Sequence, residues 1–370
     1  MNSTMGDLRL PRALHAGAWW LWALGLATAA SRTTNPVLLL LLIAAAAYVV
    51  AARRGSEPWS RSFVAFLKLG LLVLGIRVGI HMLFVSSPGG STVLFRLPEL
   101  TLPEWAAGIK VGGPVTLEAT MLALYDGLRL AAILACIGAA NALADARRLL
   151  RSVPGALYEV GVALVVAMTF APRLVEDAGR IRRAHQLRGR RLRGVRLISR
   201  IGKPVLEGSL ERSLDLAAAM DSRGFGRAAA IHPRYRRSSG PLVLTGLIGI
   251  CIGMYGLLNG GVASGVGPVG LGVGLVLAVS GFVLGGRGSL RTRYRPDPWR
   301  LPEWLVVGSG AVVAASFIVA AVRGDPGMDV MVVPLIVPGI PLLAAAGALA
   351  ALLPAWASPP PPRMATEAPS

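Results

Sequence analysis

The sequence predicts an all-α, polytopic membrane protein with about eight transmembrane helices and one large cytoplasmic helical insertion. Three observations carry this. Apolar residues make up 54% of the 370 positions and charged residues only 15%, whereas a soluble domain carries about 25% charged residues. Nine apolar runs approach the roughly 20 residues that a spanning helix needs. The 38 Lys and Arg against 19 Asp and Glu, a net charge of +19, gather beside the runs rather than in them. This composition excludes a disordered chain, a collagen-like one and an ordinary soluble enzyme.

The first two runs, 13–30 and 36–52, read as a helical hairpin. Thr33, Thr34 and Asn35 form its turn, and Pro36 opens the second helix. A cleaved signal peptide is the weaker reading of the first run. Trp19, Trp20 and Trp22 are bulky for such a segment, and a second apolar run follows within a few residues. Runs 63–85 and 119–142 complete an amino-terminal membrane domain, 1–142. With the amino terminus inside, Arg9, Arg12, Arg53, Arg54 and Arg61 fall inside, and 86–118 falls outside, where Glu99, Glu104 and Glu118 offset Arg96 and Lys110. Arg147, Arg148 and Arg151 return inside, in keeping with the positive-inside rule.

The run 155–172 breaks that order if it spans. It would translocate 173–240, which holds 17 Lys and Arg against 6 Asp and Glu. It is short, contains Glu159, and is bounded by Pro154 and Pro172. It is therefore expected not to cross the membrane. Runs 241–260, 266–285, 303–322 and 330–353 then give four carboxy-terminal spans within 241–357. The intervening Arg287, Arg291, Arg293, Arg295 and Arg300 lie inside, as does the tail. The Pro-rich tail, 358–370, and the first dozen residues are expected to be disordered.

The insertion, 143–240, carries the functional signal. Leu206, Leu210, Leu214 and Ala218 recur every fourth residue, with Glu211, Arg212 and Asp215 between them. That spacing predicts an amphipathic helix over 204–223 with Pro204 in its first turn. A second helix is expected over 172–188. It begins at Pro172 with Glu176 and Asp177 early and Arg180, Arg182, Arg183 and Arg188 late, an order that complements the helix dipole. Both end alike. Ala184, Arg188 and Gly189 close one, and Ala219, Arg223 and Gly224 close the other, the two arginines 35 positions apart. Glycine after the last turn accepts the left-handed conformation that ends a helix. Alanine one turn earlier leaves room for a partner's approach, and arginine offers several donors to carboxylates or carbonyls. A single copy is an ordinary helix end. Two copies in one insertion suggest two equivalent sockets on a dimer or on two similar subunits.

These paired motifs resemble the two Ala-Arg-Gly signatures of the T component of energy-coupling factor (ECF) transporters, a family that includes transmembrane subunits of cobalt, nickel and biotin uptake systems. Leu14-His15 through Asn35-Pro36 resembles that family's opening hairpin, and Gly127-Leu128-Arg129-Leu130 with the basic 143–153 segment and Pro172 resembles its middle. The resemblance spans about 13–260. It departs at Ala16, where the family commonly has Pro, and in the added helices of 266–353. The resemblance implies that 143–240 is a cytoplasmic coupling module. Arg188 and Arg223 would dock into two ABC-type ATPase subunits, identical, different or fused, with Ala184, Gly189, Ala219 and Gly224 shaping the ends. It further implies a small membrane-embedded substrate-binding (S) component as partner, uptake of a vitamin or transition-metal ion, and residence in a bacterial plasma membrane with both termini cytoplasmic.

No enzymatic activity and no cofactor are expected of this chain itself. It has no G-x-x-x-x-G-K-[ST] loop to cradle phosphates. Cys136 and Cys251 sit in apolar runs, and His15, His81, His185 and His232 show no metal-ligand spacing. Gly260-Gly261 and 265–274 read as a membrane turn and close helix packing. Two rival readings remain. Arg77, His81, Asp126 and Arg129 lie within spans and could serve a self-sufficient secondary transporter, although an Arg77–Asp126 structural pair is the simpler reading. The Arg188–Arg200 run could instead make the chain a membrane-anchored binder of anionic lipid or nucleic acid. Nucleic acid is not expected as a partner, because few aromatics interleave with that run.

Overall fold

The computed structural model describes residues 12, 14–55, 62–83, 92–101, 110–145, 148–149, 158–189, 195–224, 233–259, 266–287, 299–333 and 338–360. Arg9, Arg61, Glu104, Arg147, Arg151, Pro154, the loop 261–265, most of the basic loop 286–302, residues 190–194 and nearly all of the 358–370 tail lie outside them. The elements run α1 (Ala16–Ser31), α2 (Pro36–Arg53), α3 (Ser62–Leu83), β1 (Val93–Thr101), β2 (Lys110–Thr116), α4 (Leu117–Leu143), α5 (Tyr158–Leu187), α6 (Val195–Ser222), α7 (Pro233–Asn259), α8 (Val266–Arg287), α9 (Leu301–Arg323), α10 (Leu342–Ala350) and α11 (Pro354–Ala357).

Among the described residues, six helices contain a stretch long and apolar enough to cross a membrane: α2, α3, α4, α7, α8 and α9. Of the eight expected spans, the first forms the 16-residue α1 and the last breaks into α10 and α11. At 1.5 Å per residue α1 is about 24 Å long, short of the roughly 30 Å hydrocarbon layer. The segment 86–118, expected as a loop, holds a two-stranded antiparallel ribbon in which Phe95 faces Val115 and Leu97 faces Gly113. Its run Val93-Leu94-Phe95 lacks polar alternation, and Pro98 and Pro114 mask the strand pattern.

The chain divides into two compact units, Met1–Leu149 with Asp297–Ser370, and Leu150–Pro296. The carboxy-terminal helices are therefore not one block. In the first unit α1 packs on α4 and α9, α2 on α4 and α10, and α3 on α4. Trp22, Leu26, Leu38, Leu42, Val313 and Phe317 fill the core against the alanines of α4. Small residues let the backbones close up: a Cβ on Gly310 would meet the Trp22 Cα at 2.7 Å.

The α1–α2 turn is a polar clamp. Asn35, fully buried, accepts the Val37 N–H at 3.0 Å and donates to the carbonyls of Gly327 at 2.7 Å and Gly339 at 2.8 Å. Thr33 donates to the Met328 carbonyl at 2.7 Å, and Thr34 accepts the Val330 N–H at 3.0 Å. The opposite end of the hairpin is held as well. Arg12 donates to both oxygens of the buried Glu303, at 2.7 and 3.0 Å, and Arg53 donates to the Ala355 carbonyl. Segments about 300 residues apart thus satisfy each other's polar groups, as burial requires.

In the second unit, α7 and α8 pack through glycines, with a Cβ on Gly249 meeting the Gly274 Cα at 2.9 Å. The helices α5 and α6 touch each other. Neither begins where the sequence suggests. Pro172 lies inside the 30-residue α5 and Pro204 inside the 28-residue α6. A proline removes one backbone bond and bends a helix, and the turns on both sides carry these helices through. The run 155–172 is thus the first half of an amphipathic helix from Tyr158 onward, and α5 is not among the helices apolar enough to span.

Asn35 is the test of the clamp. Asn35→Leu removes the cap and leaves buried carbonyls unpaired, at a cost on the order of 3 kcal/mol. A clear fall in the detergent-solubilised unfolding temperature is expected, whereas Thr28→Ala, at a half-buried position whose hydroxyl bonds only the Leu24 carbonyl of its own helix, should lower it far less.

Candidate functional site: two exposed helix ends

Gln186 to Gly189 close α5 and Asp221 to Gly224 close α6, and the two ends share the glycine bond while differing at the arginine, which bonds four residues back in α5 and three in α6. The Arg188 N–H donates to the Ala184 carbonyl at 3.2 Å, and the Gly189 N–H donates to the Gln186 carbonyl at 3.0 Å. At the second end the Arg223 N–H donates to the Met220 carbonyl at 3.2 Å, and the Gly224 N–H to the Asp221 carbonyl at 2.8 Å. Gly189 has φ +73° and Gly224 φ +70°. Both are left-handed positions that a Cβ disfavours by roughly 1–2 kcal/mol. The motif glycines therefore terminate both helices as the sequence suggests.

All six motif residues lie on open surface. Ala184, Arg188, Gly189, Ala219 and Arg223 are exposed, and Gly224 is half-exposed. No atom stands within 4 Å of a Cβ built on Gly189. Each end thus presents a guanidinium, a small residue one turn back, and the helix's last carbonyls. Such a surface suits insertion into a groove that supplies acceptors to arginine and donors to the carbonyls.

The flanks differ from expectation. Because α5 starts at Tyr158, Glu176 and Asp177 fall in mid-helix and cannot serve the dipole of its first turn. Asp177 instead points sideways and forms an ion pair with Arg212 of α6, with Arg180 also near it at 3.6 Å. Arg212 steadies itself by donating through Nε to the Gly208 carbonyl at 3.0 Å. Spacing within one helix does not reveal a pair between two. The face of Leu206, Leu210 and Leu214 is amphipathic as read, and its leucines are 64–70% exposed, so α5 does not cover it.

The residues of the rival readings are placed as follows. Arg77 and Asp126 form an ion pair at 3.1 Å between α3 and α4. Arg129, which could have paired with Asp126 at i,i+3, donates instead to the Ser31 carbonyl. His81 lies one turn beyond Arg77. Of the polybasic run, only the side chains of Arg188 and Arg200 fall within the described residues.

The family of CbiQ cobalt transport proteins matches residues 9–232, well over half of the chain and including both helix ends. The chain belongs to the CbiQ family. No curated protein matches it significantly. Members of the CbiQ family are transmembrane components of cobalt and ECF transport systems, not enzymes, and this chain is one of their multi-pass membrane proteins. The helices α7 to α11 lie beyond the matched residues.

Gly224→Val should cost roughly 1–2 kcal/mol at the end of α6 alone. The chain should still insert and retain its α1–α4 packing, while limited proteolysis should cut more readily near 220–224.

Proposed function

We propose that this CbiQ-family chain is the energy-coupling transmembrane subunit of an ABC-type ECF importer. The observation that carries this reading is the pair of exposed helix ends at Arg188 and Arg223, each closed by a left-handed glycine, on two helices that are not among the candidate spans of the described residues. Each end docks into a groove on one of two cytoplasmic ATPase subunits, or on the two halves of a fused one. When those subunits close on ATP and reopen, the ends move with them. A nucleotide-linked change of this kind requires different contacts in the two states, and arginine at a helix end supplies contacts that can be made and broken.

The exposed leucine stripe on α6 passes the motion on. It fits a small, very apolar substrate-binding subunit, which would select the cargo, a vitamin or a transition-metal ion. The coupling module lies on the cytoplasmic side, with both termini, because its arginines are too costly to translocate. The ion pair of Arg77 with Asp126 agrees with a structural role for those groups rather than with a relay.

Arg188→Ala and Arg223→Ala should each leave expression and membrane insertion intact and reduce recovery of the ATPases with the tagged chain. The double variant should abolish that recovery together with growth that depends on the transported nutrient. Full recovery and uptake in the double variant would sink the proposal.

A further inference from the structure

The resemblance between α5 and α6 extends beyond their ends. Glu176, Asp177, Arg180, Ala184, Arg188 and Gly189 recur 35 positions later as Glu211, Arg212, Asp215, Ala219, Arg223 and Gly224. Three of the four identities are the motif residues themselves, and the one upstream of them is Glu176 with Glu211. The two that differ exchange sign: Asp177 becomes Arg212, and Arg180 becomes Asp215. Asp177 and Arg212, at equivalent positions in the two helices, are the residues that meet.

This has a physical reason. When two equivalent helices cross about a local two-fold axis, the residue on the axis faces its own equivalent. An identical charged residue there would repel its copy. Opposite charges at the equivalent positions turn that repulsion into an ion pair. The exchange at 180 and 215 keeps an opposite charge three residues along each helix, seen in the Arg180–Asp177 contact. From this point each helix runs eleven residues to its docking arginine, an arm of about 16 Å. The Asp177 side chain is 15% exposed and its partner Arg212 38%, so the carboxylate is shielded while the guanidinium stays partly open to water. That sets it apart from fully exposed surface pairs, which contribute little.

We propose that Asp177 and Arg212 are the positioning pair of the coupling module, the fulcrum that fixes the distance between the Arg188 and Arg223 ends so that both engage their ATPase sockets together. The proposal rests on the docking reading above and adds two residues that act through the helix ends.

The test uses the full chain expressed with its partner subunits and spin labels at Gln186 and Asp221, one beside each end. Four forms are compared: unchanged, Asp177→Arg, Arg212→Asp and the exchanged double variant. Pulsed dipolar spectroscopy should give one narrow distance distribution for the unchanged chain. It should broaden in each single variant, with ATPase recovery reduced about tenfold, a loss within the range of coupling between contacting residues. The exchanged variant should regain the narrow distribution and bring recovery to within about twofold of the unchanged chain. Single variants with unaltered distributions, or an exchanged variant no better than the singles, would overturn the proposal. Should the unchanged chain bring down no ATPase, the docking reading fails, and the distance distributions still decide whether the pair fixes the ends.

Discussion

The cost of placing charge in hydrocarbon governs this chain. An arginine at the bilayer centre costs about 2.5–3.5 kcal/mol on insertion scales, and the stretch 173–240 holds 17 Arg and Lys. The helices that carry it differ from those around them. The spans α2, α3, α7, α8 and α9 are apolar around most of their circumference. In contrast α5 and α6 are amphipathic and reach 30 and 28 residues without qualifying as spans. Helices that long outside hydrocarbon can act as levers. They carry their free ends away from the point where they are held, and the two ends are where the Ala-Arg-Gly motifs stand.

The first unit has a different task, which its polar contacts describe. Thr33, Thr34, Asn35 and Arg12 tie the opening hairpin to segments that follow α8 in the chain. The helices α9 to α11 lie beyond the residues matched by the CbiQ family, yet they complete the core around Trp22 and Leu42. The buried carboxylate of Glu303 shows how tightly this addition is specified. It is charge-paired by Arg12 and also accepts the Arg300 N–H at 3.1 Å, so both oxygens are satisfied inside the unit. An unpaired carboxylate there would be costly. The extension thus braces the amino-terminal hairpin.

Much of this was legible in the sequence where the determinant is local. Thr33 to Asn35 announced a turn and Pro36 the first turn of a helix, and both are present, with Asn35 also capping α2. The glycines after Arg188 and Arg223 announced left-handed ends, and both have positive φ. Apolar length announced six of the eight expected spans as helices long and apolar enough to cross a membrane. What the sequence hid was non-local or set by competition. Pro172 and Pro204 read as boundaries because a proline inside a helix is unfavourable, but the flanking turns outweigh one missing bond. The β1–β2 ribbon has no period to read. The Asp177–Arg212 pair depends on which faces of two helices meet. Its one trace in the sequence is the exchange of sign between residues 35 positions apart, Asp177 with Arg212 and Arg180 with Asp215.

The measurement that bears most directly on the account is site-specific photo-crosslinking in native membranes. A photoreactive residue would stand at Gln186 or at Asp221, each exposed beside one motif arginine. The account predicts adducts with ABC-type ATPase subunits from both positions, and a change in their yield when ATP is trapped. Adducts with lipid alone at both positions, in membranes where the chain is assembled with its partners, would contradict it.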